Sequence, residues 1–139
     1  TSYVSFRQRH AEHQRQLETQ IASLRAKVRQ ALSRSSAPLR QLAIMDDVME
    51  QTLAAREQRL LSTVPQFLER RFVQLRKAHQ AQLAASDQVD DFAATRGAGG
   101  WVDVFTREWQ GVLLAELDVR LQPVVGMIEA LSSESKKYP

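Results

Sequence analysis

No glycine occurs before Gly97 in this chain of 139 residues, and only Pro38 and Pro65 interrupt that stretch. Glycine and proline punctuate a fold, so their scarcity removes most ways of turning the chain. The same stretch is rich in Ala, Leu, Gln, Arg and Glu, which favour helix. Such a sequence is read as a few long helices that make surfaces against one another rather than pockets. The expected fold is all-α: an elongated antiparallel bundle of long, coiled-coil-like helices, the middle one kinked at Pro65.

At 43% hydrophobic residues, the chain can support one core. A single helical domain over residues 1–139 is expected, with a flexible loop at 86–100 and a frayed tail at 132–139. The chain does not begin with Met, and it reads as the C-terminal part of a longer protein. Cysteine is absent, which removes disulfides, thiolate zinc sites and thiol nucleophiles. No apolar run approaches the ~20 residues that span a bilayer, so membrane association is expected only through partners and the location is read as cytoplasmic. No phosphate loop, nucleophile elbow or metal-ligand run is present, and no cofactor or metal is expected.

Apolar spacing places the helices. Tyr3, Phe6, His10, His13, Leu17, Ile21, Leu24, Val28 and Ala31 recur at steps of three and four, with one stutter, and predict a helix over 2–33. Serines before Pro38 stop it, with Ser35 or Ser36 capping the next helix. That helix carries Leu39, Leu42, Met49, Leu53, Leu60 and Val64, with Asp46 amid the stripe. Lacking turn residues, the chain should kink at Pro65 and continue through Leu68, Phe72, Leu75, His79 and Leu83. The last helix carries Trp101, Phe105, Trp109, Val112, Leu117, Leu121, Val124, Ile128 and Leu131, with a kink expected at Pro123.

Charge is unevenly placed. Residues 1–34 hold seven basic and two acidic residues, whereas residues 87–139 hold five basic and nine acidic. On the first helix Arg7, Arg25 and Arg29 flank the apolar stripe, where ion pairs with a neighbouring helix are the main expectation. Phosphate binding is the alternative, with Arg70, Arg71, Arg76 and Lys77 extending the basic surface. An antiparallel hairpin turning near Ser35 makes facing residue numbers sum to about 70. Asp46 then lies beside Arg25, Ile21 faces Met49, and Glu57 stands opposite His13 as a hydrogen-bond partner. The spacing of His10 and His13 could share a metal, but one carboxylate facing them makes a poor site. For Asp46, Asp47 and Glu50 a structural salt bridge is the main reading, and catalytic use the alternative. Glu116 is expected to pair with Arg120 one turn on. The stripe of Trp101, Phe105 and Trp109 reads as core, or else as a surface that docks a partner.

Several strings resemble a proteobacterial family of uncharacterised function. They are Leu39-Arg40-Gln41-Leu42-Ala43, Asp47-Val48-Met49-Glu50-Gln51, Ala55-Arg56-Glu57-Gln58-Arg59-Leu60-Leu61, Thr63-Val64-Pro65 and Leu113-Leu114-Ala115-Glu116-Leu117-Asp118-Val119-Arg120-Leu121-Gln122-Pro123-Val124. The resemblance implies genes beside those for a motor-like inner-membrane protein and a peptidoglycan-binding partner, a layout similar to Zorya-type anti-phage systems. It therefore implies a cytosolic accessory component with no established catalytic residues. The resulting expectation is a non-enzymatic helical binding module that meets another helical protein or a second copy of itself. The alternative is a sequence-independent nucleic-acid-binding subunit.

Overall fold

Four helices account for 93% of the described residues, and no strand is present among them. The computed structural model describes residues 2–86 and 100–137. Helix α1 spans Val4–Ser33, α2 Ala37–Leu61, α3 Val64–Ser86 and α4 Trp101–Lys137. Most of the expected loop at 86–100 lies outside the described residues. The expected frayed tail is helical as far as Lys137, with Lys136 and Lys137 in the last turn, where cations suit the helix dipole.

The turn between α1 and α2 takes only three residues. Ser35 closes α1, its hydroxyl donating to the Ala31 carbonyl at 3.0 Å. Ser36 holds the N-cap position in extended conformation, and Pro38 follows in the first helical turn, where its missing N–H costs nothing. The expected side-chain cap is not made: the Ser36 hydroxyl is buried and without a hydrogen-bond partner.

The kink expected at Pro65 is corrected by the structure. The chain bends by only 16°, and does so at 62–63. Pro65 is the second residue of α3, a place where proline fits without distortion. The helix breaks just upstream, where Ser62 and Thr63 turn their hydroxyls back onto the carbonyls of Arg59 and Leu60, both at 2.7 Å. Because Pro65 has no N–H, the Leu61 carbonyl loses its ordinary partner four residues on. Gln14 of α1 reaches it with its side-chain amide at a long 3.5 Å. The Pro65 carbonyl accepts the Tyr3 hydroxyl at 2.7 Å. The break is thus held by α1 side chains. At Pro123, where a kink is expected, α4 runs on as one helix.

Helices α2 and α3 together form one long, slightly bent arm. Helices α1 and α4 run against it, parallel to each other. That order follows from which ends meet. Tyr3 and Phe6 from the start of α1 pack with Phe105 and Trp109 from the start of α4, and with Leu68 and Phe72 of α3. Leu32 from the end of α1 packs with Met127 far along α4, and with Leu39 and Ala43 of α2. The first cluster is aromatic. Phe105 has no exposure and meets the rings of Tyr3, Phe6 and Phe72 edge-on at 6.2, 4.9 and 5.1 Å. Such edge-to-face pairs are favoured by the ring quadrupoles and add to the burial itself.

Only part of each predicted stripe is buried. The lower half of α2 is buried at Leu39 and Ala43, while Met49, Leu53 and Leu60 further along are exposed. In α1, Leu32 rather than Ala31 enters the core, and in α4 Met127 rather than Ile128 does so. Truncating Phe105 to Ala is expected to destabilise the domain by roughly 3–5 kcal/mol. Urea unfolding followed by circular dichroism measures this, and a loss below about 1 kcal/mol would show that the aromatic cluster does not hold α4 in place.

Candidate functional site

Between the two apolar clusters the bundle is polar. At its centre His10, fully buried, joins α1 to α4. The Trp109 indole donates to His10 Nδ1 at 3.1 Å, and His10 Nε2 lies 3.1 Å from Glu116 Oε1. An indole N–H can only donate, so Nδ1 must accept and the imidazole proton sits on Nε2, donated to Glu116. Gln14 adds its amide to the same carboxylate at 3.2 and 3.3 Å. Glu116 therefore takes its bonds from His10 and Gln14. The pairings expected from sequence, Glu116 with Arg120 and His13 with Glu57, are not formed. His13 is exposed and instead places its ring 5.9 Å from that of Trp109.

The second polar group locks α1 onto α2. Asp46 is 7% exposed, and Arg25 grips it with two bonds of 2.9 and 2.8 Å. Arg29 adds a third at 3.0 Å and also bonds Glu50. Arg25 lies 3.3 Å from Glu50, so the expected Arg25 pairing with Asp46 or Glu50 is present in both forms. Asp47 stands at the edge, 3.8 Å from Arg29. Burial alone would raise the Asp46 pKa, but hydrogen bonds from Arg25 and Arg29 outweigh it and hold the carboxylate below its ordinary 3.8. For Arg29, burial works against the charge, while the bonds to Glu50 and Asp46 prevail and raise its pKa. This carboxylate is consumed by structural bonds, which leaves it poorly placed for acid–base chemistry. Among the described residues, no group of three or more His, Cys, Asp or Glu could hold a metal.

The other residues singled out in the sequence are scattered. Arg71 is bound by Glu108 of α4 through two bonds of 2.7 and 2.8 Å, and this contact holds the Glu108 pKa down. Arg76 lies over the Phe72 ring and Arg70 over that of Phe67, at 5.9 and 5.7 Å. Arg7, Arg70 and Lys77 are exposed. The seven candidate nucleic-acid contacts therefore do not form one free basic surface, since Arg25, Arg29 and Arg71 are spent on the chain's own carboxylates. Phe105 and Trp109 face inward in the core, with Trp101 packed against it, so the aromatic stripe is not an open docking surface.

The bundle does hold a cleft, contrary to the expectation from sequence. It lies between α1 and α2, beside the polar middle, with a volume of about 440 Å³. Ile21 and Met49, expected to pack face to face, both line it, together with Leu53, Leu61 and Pro123. Arg120 of α4 also lines it, and its Nε is buried without a hydrogen-bond partner. Sequence reasoning passed over Gln14. Its signal was Pro65, whose missing N–H demands a donor for Leu61 from across the bundle.

Neutralising Asp46 leaves two arginines facing each other, so Asp46→Asn is expected to cost roughly 3 kcal/mol near neutral pH. The folded pKa is depressed, so this contribution is complete above the ordinary value of 3.8 and is lost as pH falls through the lower folded value. The stability gap between parent and variant should stay level from about pH 5 to 8 and close on further acidification. Denaturant titrations across that range check both the size and the sign.

The chain matches, over residues 1–133, a family model described as a protein of unknown function (DUF3348). No curated protein and no solved structure matches it. With nearly its whole length covered by that model, the chain belongs to the DUF3348 family.

Proposed function

We propose that this domain is a non-enzymatic helical binding module that docks a second helical protein along the outer face of α2. One observation carries the reading. Ile44, Met45 and Val48 are 66, 56 and 57% exposed, and Met49, 52% exposed, lies at the edge of this face where it meets the cleft. Residues four apart are surface neighbours on a helix, so these four side chains form one contiguous apolar patch. Scattered apolar residues need no explanation, but a contiguous patch is a common mark of an interaction surface. The ridged shape suits the apolar stripe of another helix.

The Zorya-type resemblance suggests which partner to try: another cytosolic helical component of a defence system built around a membrane motor-like complex. No described helix is itself long and apolar enough to cross a membrane. A second reading, sequence-independent nucleic-acid binding, has its support on α3. There the exposed Arg70 and Lys77 share one shallow hollow with Gln66, Gln74 and the acidic Glu69.

Both readings can be tested together by co-expression with a helical protein encoded in the same gene cluster. The parent is expected to elute as a complex that survives nuclease. Ile44→Glu with Val48→Glu should elute alone and remain folded, since exposed substitutions cost little stability. Co-elution that survives these changes but disappears with nuclease, or with Arg70→Glu and Lys77→Glu, would transfer the function to α3. Binding there should weaken steeply with salt.

A further inference from the structure

We propose that the docking face of α2 continues onto α3 as a basic ridge, and that the partner is an acidic amphipathic helix. This rests on the helical-partner reading and adds the chemistry of the partner. The arm bends by only 16° between α2 and α3, so one outer side runs along both helices. The buried side carries across the break in a regular rhythm, from Leu61 in the cleft to Leu68 and Phe72 in the core. The outer side does the same. Val48, Arg59 and Arg70 follow one another at eleven residues, which is three helical turns, and Lys77 comes two turns later. Arg56 lies one turn before Arg59. All five are exposed.

The four cations of this ridge are not spent within the bundle. Arg25, Arg29 and Arg71 are each held by a carboxylate. Among the described residues, no carboxylate bonds to Arg56, Arg59, Arg70 or Lys77. Arg59 donates to the Ala55 carbonyl of its own helix, and Arg70 rests over Phe67, itself 62% exposed. Each charge alone is comfortable in water. Four of one sign in a line raise the local potential, which draws and orients a partner of opposite sign.

A helix fits this line better than a nucleic-acid strand. A strand laid along the whole arm would set charged phosphates over Ile44, Met45 and Val48, which are apolar and exposed. Glu69 also lines the hollow that holds Arg70 and Lys77, and it repels a chain in which every unit carries a negative charge. A helix can change character along its length. Apolar residues meet the α2 patch, a neutral one passes Glu69, and Asp or Glu reach the four cations. From Ile44 to Lys77 the ridge is about 50 Å long, which offers a partner helix several turns of contact.

Two labelled synthetic helical peptides serve as probes for the whole chain in fluorescence anisotropy titrations. Both carry the same leucine stripe along one half. The stripe continues as Glu in one peptide and as Lys in the other. The Glu peptide is expected to bind roughly tenfold tighter, with the advantage shrinking as salt rises. Arg56→Glu with Arg59→Glu, and separately Arg70→Glu with Lys77→Glu, should each reduce that preference, and all four together should reverse it. Circular dichroism checks that these exposed substitutions leave the fold intact. Absence of binding by either peptide, equal affinity for the two, or a preference unchanged in the fourfold variant would overturn the proposal. Equal affinities that are both lost in Ile44→Glu with Val48→Glu would leave the α2 docking face standing without the acidic partner. Binding that ignores Ile44→Glu with Val48→Glu would overturn the docking reading and this proposal together. Displacement of the Glu peptide by an equimolar mixed-sequence oligonucleotide would assign the ridge to nucleic acid instead.

Discussion

The register of the bundle depends on a single carboxylate. Asp46 sits inside the α1–α2 contact, where a lone charge would be expelled, and stays only because Arg25 and Arg29 reach it with three hydrogen bonds. A slip of one helical turn would leave that charge unpaired in a half-dry seam, at a cost of several kcal/mol. Apolar side chains tolerate sliding, since leucine meets methionine about as well as it meets valine. The arginine clamp does not. Once α1 and α2 are locked in this register, Leu32 meets Leu39 and the Tyr3 hydroxyl meets the Pro65 carbonyl.

What could be read from the sequence was what depends on spacing along one helix or across a tight hairpin. The absence of glycine set the helix lengths, and equal rise on both arms of the hairpin placed Arg25 against Asp46. What could not be read was how a third helix divides the surface of the other two. Hairpin spacing puts His13 opposite Glu57 of α2, but α4 takes that side of α1 and brings Trp109 beside His13 and Glu116 to His10. Pro65 illustrates a second limit. Its effect depends on whether it falls inside a helix or in the first turn of a new one, a difference decided two residues upstream by Ser62 and Thr63.

The cleft has the same origin. The long-helix reading supposed that apolar stripes would close against each other along their whole length. They close only at the two ends, around Phe105 and around Leu32. Between them α1 offers Arg15 and Glu18, and α2 offers Glu57 and Gln58. Side chains that keep their water do not draw helices together, so the middle of the α1–α2 contact remains open.

Two apolar anchors with a polar middle also shape how strain passes along the domain. Helix α4, with 37 residues, is about 55 Å long and is seated in both apolar clusters. A continuous packed core would resist tilting along its full length. Here α4 is held at both ends by apolar contacts and midway by Glu116, which takes hydrogen bonds from His10 and Gln14. A tilt pivoted in the aromatic cluster would lift Met127 off Leu32 and draw Glu116 away from His10. Rotation of α4 at one end is therefore coupled to the contacts at the other.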